Sequence, residues 1–520
     1  MRSGAYEDSV DLLVAARRLY EGDGPAIGTI DGLSTRLGEP LRVAVAGIVK
    51  AGKSTLLNAI LGEQIAPTDA GECTRVVTWY RYSDTPSVTL HPRSGEPRRL
   101  PITRAHGKLV LDLGELRPDE VERIDVGWPS RVLRSLILID TPGIESLSHD
   151  VSARSAAFLT PDNAPSSADA IVYLLRHLHP SDLKFLEAFR DTAAGASKTV
   201  NAVAVLSRAD EIGSGRIDSL LSARKVARRY EQHGDLASLA LAVLPVAGLV
   251  AEGARTLRED EFAAFRALAD LERGQREKLL VSADRFVRPE QVASPNEEVR
   301  RRLLARFGIF GVRLAISMIR AGASNSAELT ERLVEYSGLN DLGSFISLHF
   351  GARAEALKVR AVLDGLAQLL RENPRDGASP ILGGIERIQA TAHGLRELSL
   401  LSEARVSGLP LSAAEAAAAE RIVGANGTTT TARLGLPEDT HGPALSERLT
   451  QELDRWRAKS HSPLTERAGV EVCRVVIRSL EALASDLGAG GPDDALADVV
   501  LAGGPAQGSG EGTHQDGEQH

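Results

Sequence analysis

The densest group of chemically useful residues in this chain is the segment Gly47-Ile48-Val49-Lys50-Ala51-Gly52-Lys53-Ser54, followed by Thr55. It comes after the apolar run 41–46, and its spacing of glycines, lysine and serine is typical of a phosphate-binding loop between a strand and a helix. The glycines let the backbone wrap around an anion, so that successive N–H groups point toward it. Lys53 would reach the β- and γ-phosphates of a nucleotide, and the Ser54 hydroxyl would bind Mg²⁺. Every residue from Gly47 to Thr55 is therefore a candidate nucleotide-binding residue.

A second segment, Asp140-Thr141-Pro142-Gly143, ends the apolar run 136–139. Asp140 would hold Mg²⁺ through a water molecule, and the Gly143 N–H would contact the γ-phosphate. Thr74 lies between the first helix of this region and the next strand, where a threonine can close over the metal; Thr68 is the alternative. The predicted metal-binding residues are Ser54, Thr74 and Asp140, and the predicted catalytic residues are Lys50, Lys53, Thr74 and Gly143.

The segment Ser207-Arg208-Ala209-Asp210 follows a third apolar run and has the residue types needed to recognise guanine. Asp210 can accept hydrogen bonds from guanine N1–H and from the exocyclic amine, which adenine cannot supply in this arrangement. Arg208 would lay its stem over the base, whereas Ser207 lacks the amide with which the more common asparagine ties down the phosphate loop. A helix cap is the alternative role for Asp210. Val246 or Ala247 would present a backbone N–H to guanine O6.

The residue after Gly143 is Ile144, whose side chain cannot polarise an attacking water molecule. Help with hydrolysis must therefore come from elsewhere. The candidates are Lys50, Arg75, a monovalent cation and a second subunit.

Composition narrows the class of protein. The chain has 520 residues and a formal net charge of -9, which disfavours general nucleic-acid binding. Its cysteines, Cys73 and Cys473, are too few for a disulfide framework and fit a reducing cytosol. No apolar segment is long enough to span a bilayer, so we expect a cytoplasmic protein whose membrane contact, if any, is peripheral.

Hydrophobic periodicity divides the chain into four parts: N-terminal neck helices at 1–39, a nucleotide domain at 40–255, a helical region at 256–487 and a disordered acidic, Gly-rich tail at 488–520. Strand and helix patterns alternate in the second part, which predicts an α/β P-loop GTPase domain with a mostly parallel sheet flanked by helices. The helical periodicity of the third part predicts a long all-α neck and stalk, with single helices at 258–284, 340–371 and 462–487 among others. We place its far tip within 371–436, where Pro380-Ile381-Leu382 is either a packed turn or a contact with lipid or a partner.

These motifs together resemble those of the bacterial dynamin-like GTPases, and more narrowly their actinobacterial isoniazid-inducible members of the IniC type. The resemblance includes the helix ending Leu57-Asn58-Ala59-Ile60-Leu61-Gly62 and the segment Thr74-Arg75-Val76-Val77-Thr78. It extends into the helical half through Gly308-Ile309-Phe310-Gly311-Val312-Arg313 and Tyr336-Ser337-Gly338-Leu339. It implies Mg²⁺-dependent turnover of GTP to GDP, a neck made of N- and C-terminal helices, and a stalk whose tip acts on membranes. It also implies self-association through the GTPase domains, often with a paralogous partner. Val49-Lys50 departs from the polar pair usual in dynamins.

Two other classes of function remain open at this point. An Era-like ribosome-associated GTPase also carries the Asp140-Thr141-Pro142-Gly143 element, but it should end in a compact basic RNA-binding module. This chain ends instead in amphipathic helices and an acidic tail. A nucleotide-dependent scaffold that hydrolyses nothing is the third class, and a turnover assay separates it from the first.

Overall fold

The computed structural model describes residues 3–67, 76–105, 108–114, 116–142, 167–193, 201–212, 216, 218–231, 234–288, 294–406 and 408–488. The strands are β1 Leu41–Gly47, β2 Thr78–Tyr82, β3 Ser87–Pro92, β4 Arg98–Leu100, β5 Thr103–Ala105, β6 Lys108–Val110, β7 Val121–Trp128, β8 Leu136–Asp140, β9 Ala170–Leu175, β10 Ala202–Ser207 and β11 Val243–Val246. The helices that surround the sheet are α1 Gly4–Leu19, α2 Gly24–Gly38, α3 Lys53–Leu61, α4 Pro180–Ala193, α5 Ser219–Glu231, α6 Gly234–Ala237 and α7 Gly248–Arg255.

The remaining helices follow without further strands in the described residues. They are α8 Glu259–Ala269, α9 Arg273–Leu279, α10 Ala283–Phe286, α11 Glu297–Arg320, α12 Ser326–Tyr336, α13 Leu339–Phe345, α14 Ala354–Glu372, α15 Ser379–Thr391, α16 His393–Val406, α17 Ala413–Ile422, α18 Thr430–Leu434, α19 Pro443–His461 and α20 Arg467–Gly488. None of the helices in the described ranges is long and apolar enough to cross a lipid bilayer.

Nine of the described strands form one sheet, in the order β11-β10-β9-β1-β8-β2-β7-β3-β4. The five strands from β11 to β8 run parallel, because every pairing among them is parallel. β2 then pairs with β8 in the antiparallel sense and with β7 in the parallel sense. β3 pairs with β7, and β4 with β3, both in the antiparallel sense. The predicted α/β domain with a mostly parallel sheet and a helical second half is confirmed. Sequence patterns missed β3 to β6 and β11 because these strands are short or polar, as in Arg98–Leu100 and Val243–Val246.

The N-terminal helices pack on the middle of the helical half. α2 lies against α14, where Gly365 leaves room for the Leu33 side chain, and α1 lies against α15. The Lys358 ammonium donates to the carbonyls of Leu37 and Glu39 at 3.1 and 2.8 Å, which satisfies the C-terminal end of α2. Ile381 is buried within this packing although Pro380 and Leu382 are exposed, so the run 380–382 starts a helix that packs through Ile381.

Two predicted long helices are broken in the structure. The segment predicted as one helix at 258–284 is three short helices, because the Arg276 guanidinium donates to the Ala269 and Leu271 carbonyls and so ends α8. The segment 340–371 is interrupted by a π turn at Ile346–Phe350, where the Leu348 carbonyl accepts from the Thr428 hydroxyl at 2.8 Å. The predicted helix at 462–487 begins at Arg467.

The last five helices enclose a second hydrophobic core around Trp456, separate from the core that the sheet shares with helices up to α16. α20 packs there on α19, α17 and α16, so the C-terminal helix belongs to this second core. The N-terminal helices α1 and α2 pack instead on α14 and α15, within the predicted helical neck and stalk region 256–487.

Glu397 links three elements of the second core. Its carboxylate accepts from the Ser479 hydroxyl at 2.6 Å, lies 3.3 Å from His393 Nε2 and pairs with the Arg433 guanidinium. Burial by itself would raise the pKa of Glu397, but the His393 hydrogen bond, the Arg433 charge and the Ser479 hydrogen bond outweigh it and hold the pKa at about 2. The charged form is therefore strongly favoured in the folded protein.

We expect Glu397→Gln to lower the free energy of unfolding by about 2–3 kcal/mol, because it leaves Arg433 buried beside a neutral group. The folded pKa lies below the ordinary value of 4.5, so the stabilising contribution is full above pH 4.5 and is lost as the pH falls toward 2. Urea unfolding followed by Trp fluorescence at pH 7 and pH 3.5 measures both effects. The matched control is Glu481→Gln, whose pair with Arg457 is half exposed and should contribute less than about 1 kcal/mol.

Candidate functional site

The predicted phosphate-binding loop connects β1 to α3 at the carboxyl edge of the sheet. Its first glycine, Gly47, has φ +148° and passes so close to β9 that a Cβ would overlap the Leu174 carbonyl oxygen. Its second glycine, Gly52, precedes α3 with φ +97°, a conformation that side chains rarely adopt. The loop geometry therefore depends on both glycines, the first for space and the second for backbone conformation.

Lys53, Ser54 and Asp140 come together beneath this loop. The Lys53 ammonium donates to the carbonyls of Gly47 and Ile48 at 3.2 and 3.4 Å, and the Ser54 hydroxyl donates to Asp140 Oδ2 at 3.4 Å. Burial lowers the pKa of Lys53, and the Asp140 charge opposes that shift. Burial raises the pKa of Asp140 to about 6 although Lys53 lies nearby. The site is thus a desolvated pair of opposite charges at the start of α3.

The other loop residues occupy different environments. Ala51 is fully buried, whereas Val49 is 40% exposed and Lys50 is also exposed. Thr55, on the first turn of α3, approaches the start of α7, since a Cβ at Gly248 would lie 3.7 Å from its methyl group. Only some of the predicted loop residues therefore face the interior.

Arg208 connects the base-recognition segment to the loop. Its guanidinium donates to the Lys50 carbonyl at 3.2 Å and to Glu211 at 2.7 Å. In the part of the chain that the structure describes, Lys50 and Arg208 are the non-glycine residues with positive φ, at 62° and 51°. Strained backbone of this kind persists where surrounding contacts hold it. Arg208 thus makes the hydrogen bond to the phosphate loop that Ser207 does not make, since the Ser207 hydroxyl donates to the Leu175 carbonyl instead.

A cavity of about 160 Å³ lies between the loop and the ends of β10 and β11. Its lining includes Gly52, Thr55, Arg208, Asp210, Val246 and Gly248. Burial raises the pKa of the Asp210 carboxyl, and the charge of Glu211 adds to that shift. A buried carboxylate has lost hydrogen bonds to water, and N–H donors on a ligand can replace them. The cavity therefore joins the predicted base-binding residues to the start of α3.

Ala247 does not have the position that the sequence predicts for it. Its N–H donates to the Ser337 carbonyl at 2.9 Å, so this amide is taken up by the helical half. The next residue, Gly248, lines the cavity and begins α7, whose first-turn N–H groups have no partner within the helix. Gly248 is thus the better candidate for the contact with O6.

Thr74 and Gly143 lie outside the described residues, as do Thr68, Arg75 and Ile144. The structure does describe how the segment just before residue 68 is anchored. Asn58, in α3, accepts from the N–H groups of Ile65 and Ala66 at 3.0 and 2.7 Å and donates to Glu252 of α7 at 3.0 Å. Sequence reasoning missed this role, although a polar residue inside the apolar run Leu56-Leu57-Asn58-Ala59 was a usable signal.

The residues at the loop fit Mg²⁺. A serine hydroxyl and a partly buried carboxylate at hydrogen-bond distance are hard oxygen donors of the kind this ion prefers. No cluster of three or more His, Cys, Asp or Glu side chains suited to a metal occurs in the described ranges. Ser54 and Asp140 would thus hold the ion together with phosphate oxygens rather than in a cage of protein side chains.

The chain is similar to members of the dynamin family. The family model described as the dynamin family matches residues 43–187. The isoniazid-induced protein IniC of Mycobacterium tuberculosis is 39% identical over 470 residues, which cover 90% of this chain and 95% of IniC. The isoniazid-induced protein IniA of the same species is 33% identical over 158 residues, covering 28% of this chain and 24% of IniA.

A solved structure of an oligomerised bacterial dynamin pair aligns over 96% of this chain and 77% of its own, with 11% identity and a TM-score of 0.35. The bacterial dynamin-like protein of Nostoc punctiforme is 32% identical over 196 residues, covering 35% of this chain and 25% of that protein. The relationship to IniC spans nearly the whole length of both chains, and the dynamin model covers the loop, Asp140 and the strands between them. This chain therefore belongs to the dynamin family, as one of its bacterial, IniC-type members.

Proposed function

We propose that this chain binds and hydrolyses GTP in a Mg²⁺-dependent reaction. The observation that carries the proposal is the cavity that Asp210 lines together with Gly52 and Thr55, because it places a base site directly beside the end of the phosphate-binding loop. Membership of the dynamin family supports guanine as the base. GTP is the substrate and GDP the product.

We assign the contacts with phosphate, metal and base to different residues of the site. Loop amides between Gly47 and Thr55 and the Lys53 ammonium hold the phosphates, while Ser54 and Asp140 hold the metal, which neutralises charge on the β- and γ-phosphates when bound. Asp210 accepts from the guanine N–H groups, and Arg208 covers the base and holds the Lys50 carbonyl. Thr74 and Gly143 are proposed to contact the γ-phosphate and metal on the grounds of sequence alone.

We further propose that turnover is coupled to movement and assembly of the helical half. In support, α7 begins at the base cavity and packs on α11 and α12, so the site contacts those helices directly through α7. The proposal also includes self-association through the GTPase domains, pairing with a paralogous dynamin-like protein and peripheral contact with the cytoplasmic face of the membrane. It includes no nucleic-acid partner.

Guanine selectivity is the first test. Each buried polar group left unpaired against adenine costs about 1–3 kcal/mol, so GDP should bind at least about one hundred times more tightly than ADP in titration calorimetry. Asp210→Asn should remove most of that preference. As a matched control, the same variant should gain affinity for xanthosine diphosphate, whose C2 carbonyl can accept from the new amide. Equal affinity of the wild type for GDP and ADP would contradict the proposal.

The cation dependence of GTP turnover tests whether Lys50 provides the catalytic assistance. At about 4 Å and an effective dielectric of 20, its charge would interact with a phosphate charge by roughly 4 kcal/mol. If a quarter of this interaction energy, about 1 kcal/mol, develops only in the transition state, the turnover rate rises several-fold. We expect GTP turnover by the wild type to be the same in potassium, sodium and choline salts.

Lys50→Ser should slow turnover several-fold, and potassium should restore part of the rate. The variant keeps the backbone carbonyl that accepts from Arg208, so its nucleotide affinity serves as the control and should stay close to that of the wild type. Strong potassium dependence of the wild type would assign the role to a bound cation and remove it from Lys50. An absence of any turnover would favour the non-hydrolysing scaffold.

A further inference from the structure

The turn between α12 and α13 contacts the wall of the base cavity directly. Its Ser337 carbonyl accepts from the Ala247 N–H at 2.9 Å. Its Gly338 has φ +80° and lies so close to β11 that a Cβ would overlap the Pro245 carbonyl oxygen. The end of β11 therefore touches the helical half through two adjacent backbone contacts.

The turn is itself held rigidly. Ser337 is completely buried, and its hydroxyl donates to the Val334 carbonyl at 2.6 Å while accepting from the Leu339 N–H at 3.3 Å. These bonds fix the direction of the Ser337 carbonyl relative to the end of α12. A shift of this helix would thus move the partner of the Ala247 amide.

The segment on the other side of the contact forms part of the base cavity. Val246 pairs with Ser207 of β10, and both line the cavity together with Gly248. α7, which continues from Gly248, is fixed on its other side as well: the Thr330 hydroxyl donates to the Ala254 carbonyl at 3.2 Å. The cavity wall can therefore adjust little unless α12 and α13 adjust with it.

We propose that Ser337 and Gly338 are positioning residues for guanine recognition, which set the place of the 245–248 wall and thereby the affinity for the base. This inference rests on the proposed binding of guanine nucleotide. Because coupling between two sites is reciprocal, a bound base stabilises the docking of the α12–α13 turn by the same factor. The helical half thus senses the occupied base site through this turn, independently of the γ-phosphate.

Gly338→Ala is the direct test, since the new methyl group meets backbone atoms that cannot rotate away. We expect the KM for GTP and the Kd for GDP to rise about tenfold, while kcat stays within about twofold, because a base contact is equally strong in the ground and transition states. Inosine diphosphate shares the O6 carbonyl but lacks the exocyclic amine, so its Kd should rise by the same factor.

Gly322→Ala is the matched control. Gly322 has φ +101° at the end of α11, and no heavy atom lies within 4 Å of the position of its Cβ. This variant carries a comparable backbone strain and should keep wild-type KM and Kd values while its melting temperature falls. Should Gly338→Ala fail to fold, Ser337→Ala removes the hydroxyl that fixes the turn and is expected to raise the Kd for GDP about threefold.

Three results would overturn the inference. They are an unchanged Kd in a folded Gly338→Ala, an equal rise of Kd in Gly322→Ala, and a fall in kcat with KM unchanged. A wild type without guanine preference would instead refute the proposed function itself, so the two failures are distinguishable.

Discussion

The close passage of Gly47 along β9 is the constraint on which the site depends. A side chain at this position would collide with the Leu174 carbonyl, so the two parallel strands could not keep their register. β1 lies between β8 and β9, at the point where successive strands are added to opposite sides of the sheet. In open α/β sheets such a point leaves a crevice at the carboxyl ends of the strands, where ligands bind. The phosphate-binding loop starts there.

The same adjacency brings the charged groups together. Asp140 ends β8 in register with Val45 of β1, which places its carboxylate beside the first turn of α3. Lys53 and Asp140 are both desolvated, and each partly compensates the burial of the other. Desolvated charges interact more strongly with an incoming ligand than charges in water do. Burial of this pair is thus part of what prepares the site for phosphate and metal.

The helical half is built on two cores with different relations to the site. Helices α7 to α15 share the core of the sheet, so the base cavity, the α12–α13 turn and the N-terminal helices are parts of one packed body. The last five helices enclose the second core, which ion pairs such as that of Arg433 with Glu397 help to hold together. Packed cores move as units rather than deforming continuously. A change at the base site would accordingly reach the first set of helices before the second.

The local sequence determined which residues carry chemistry and which secondary structure holds them. The loop from Gly47 to Ser54, the strands before Asp140 and Ser207, and the helical nature of the second half all follow from short-range patterns. The tertiary structure decided the pairing of groups that are distant in the chain. Periodicity could not reveal that Ser337 takes the Ala247 amide, that Arg208 replaces a missing asparagine, or that Arg276 and Thr428 interrupt predicted long helices. Each of these contacts satisfies a backbone group through a partner that periodicity does not specify, and in three of the four that partner lies far along the chain.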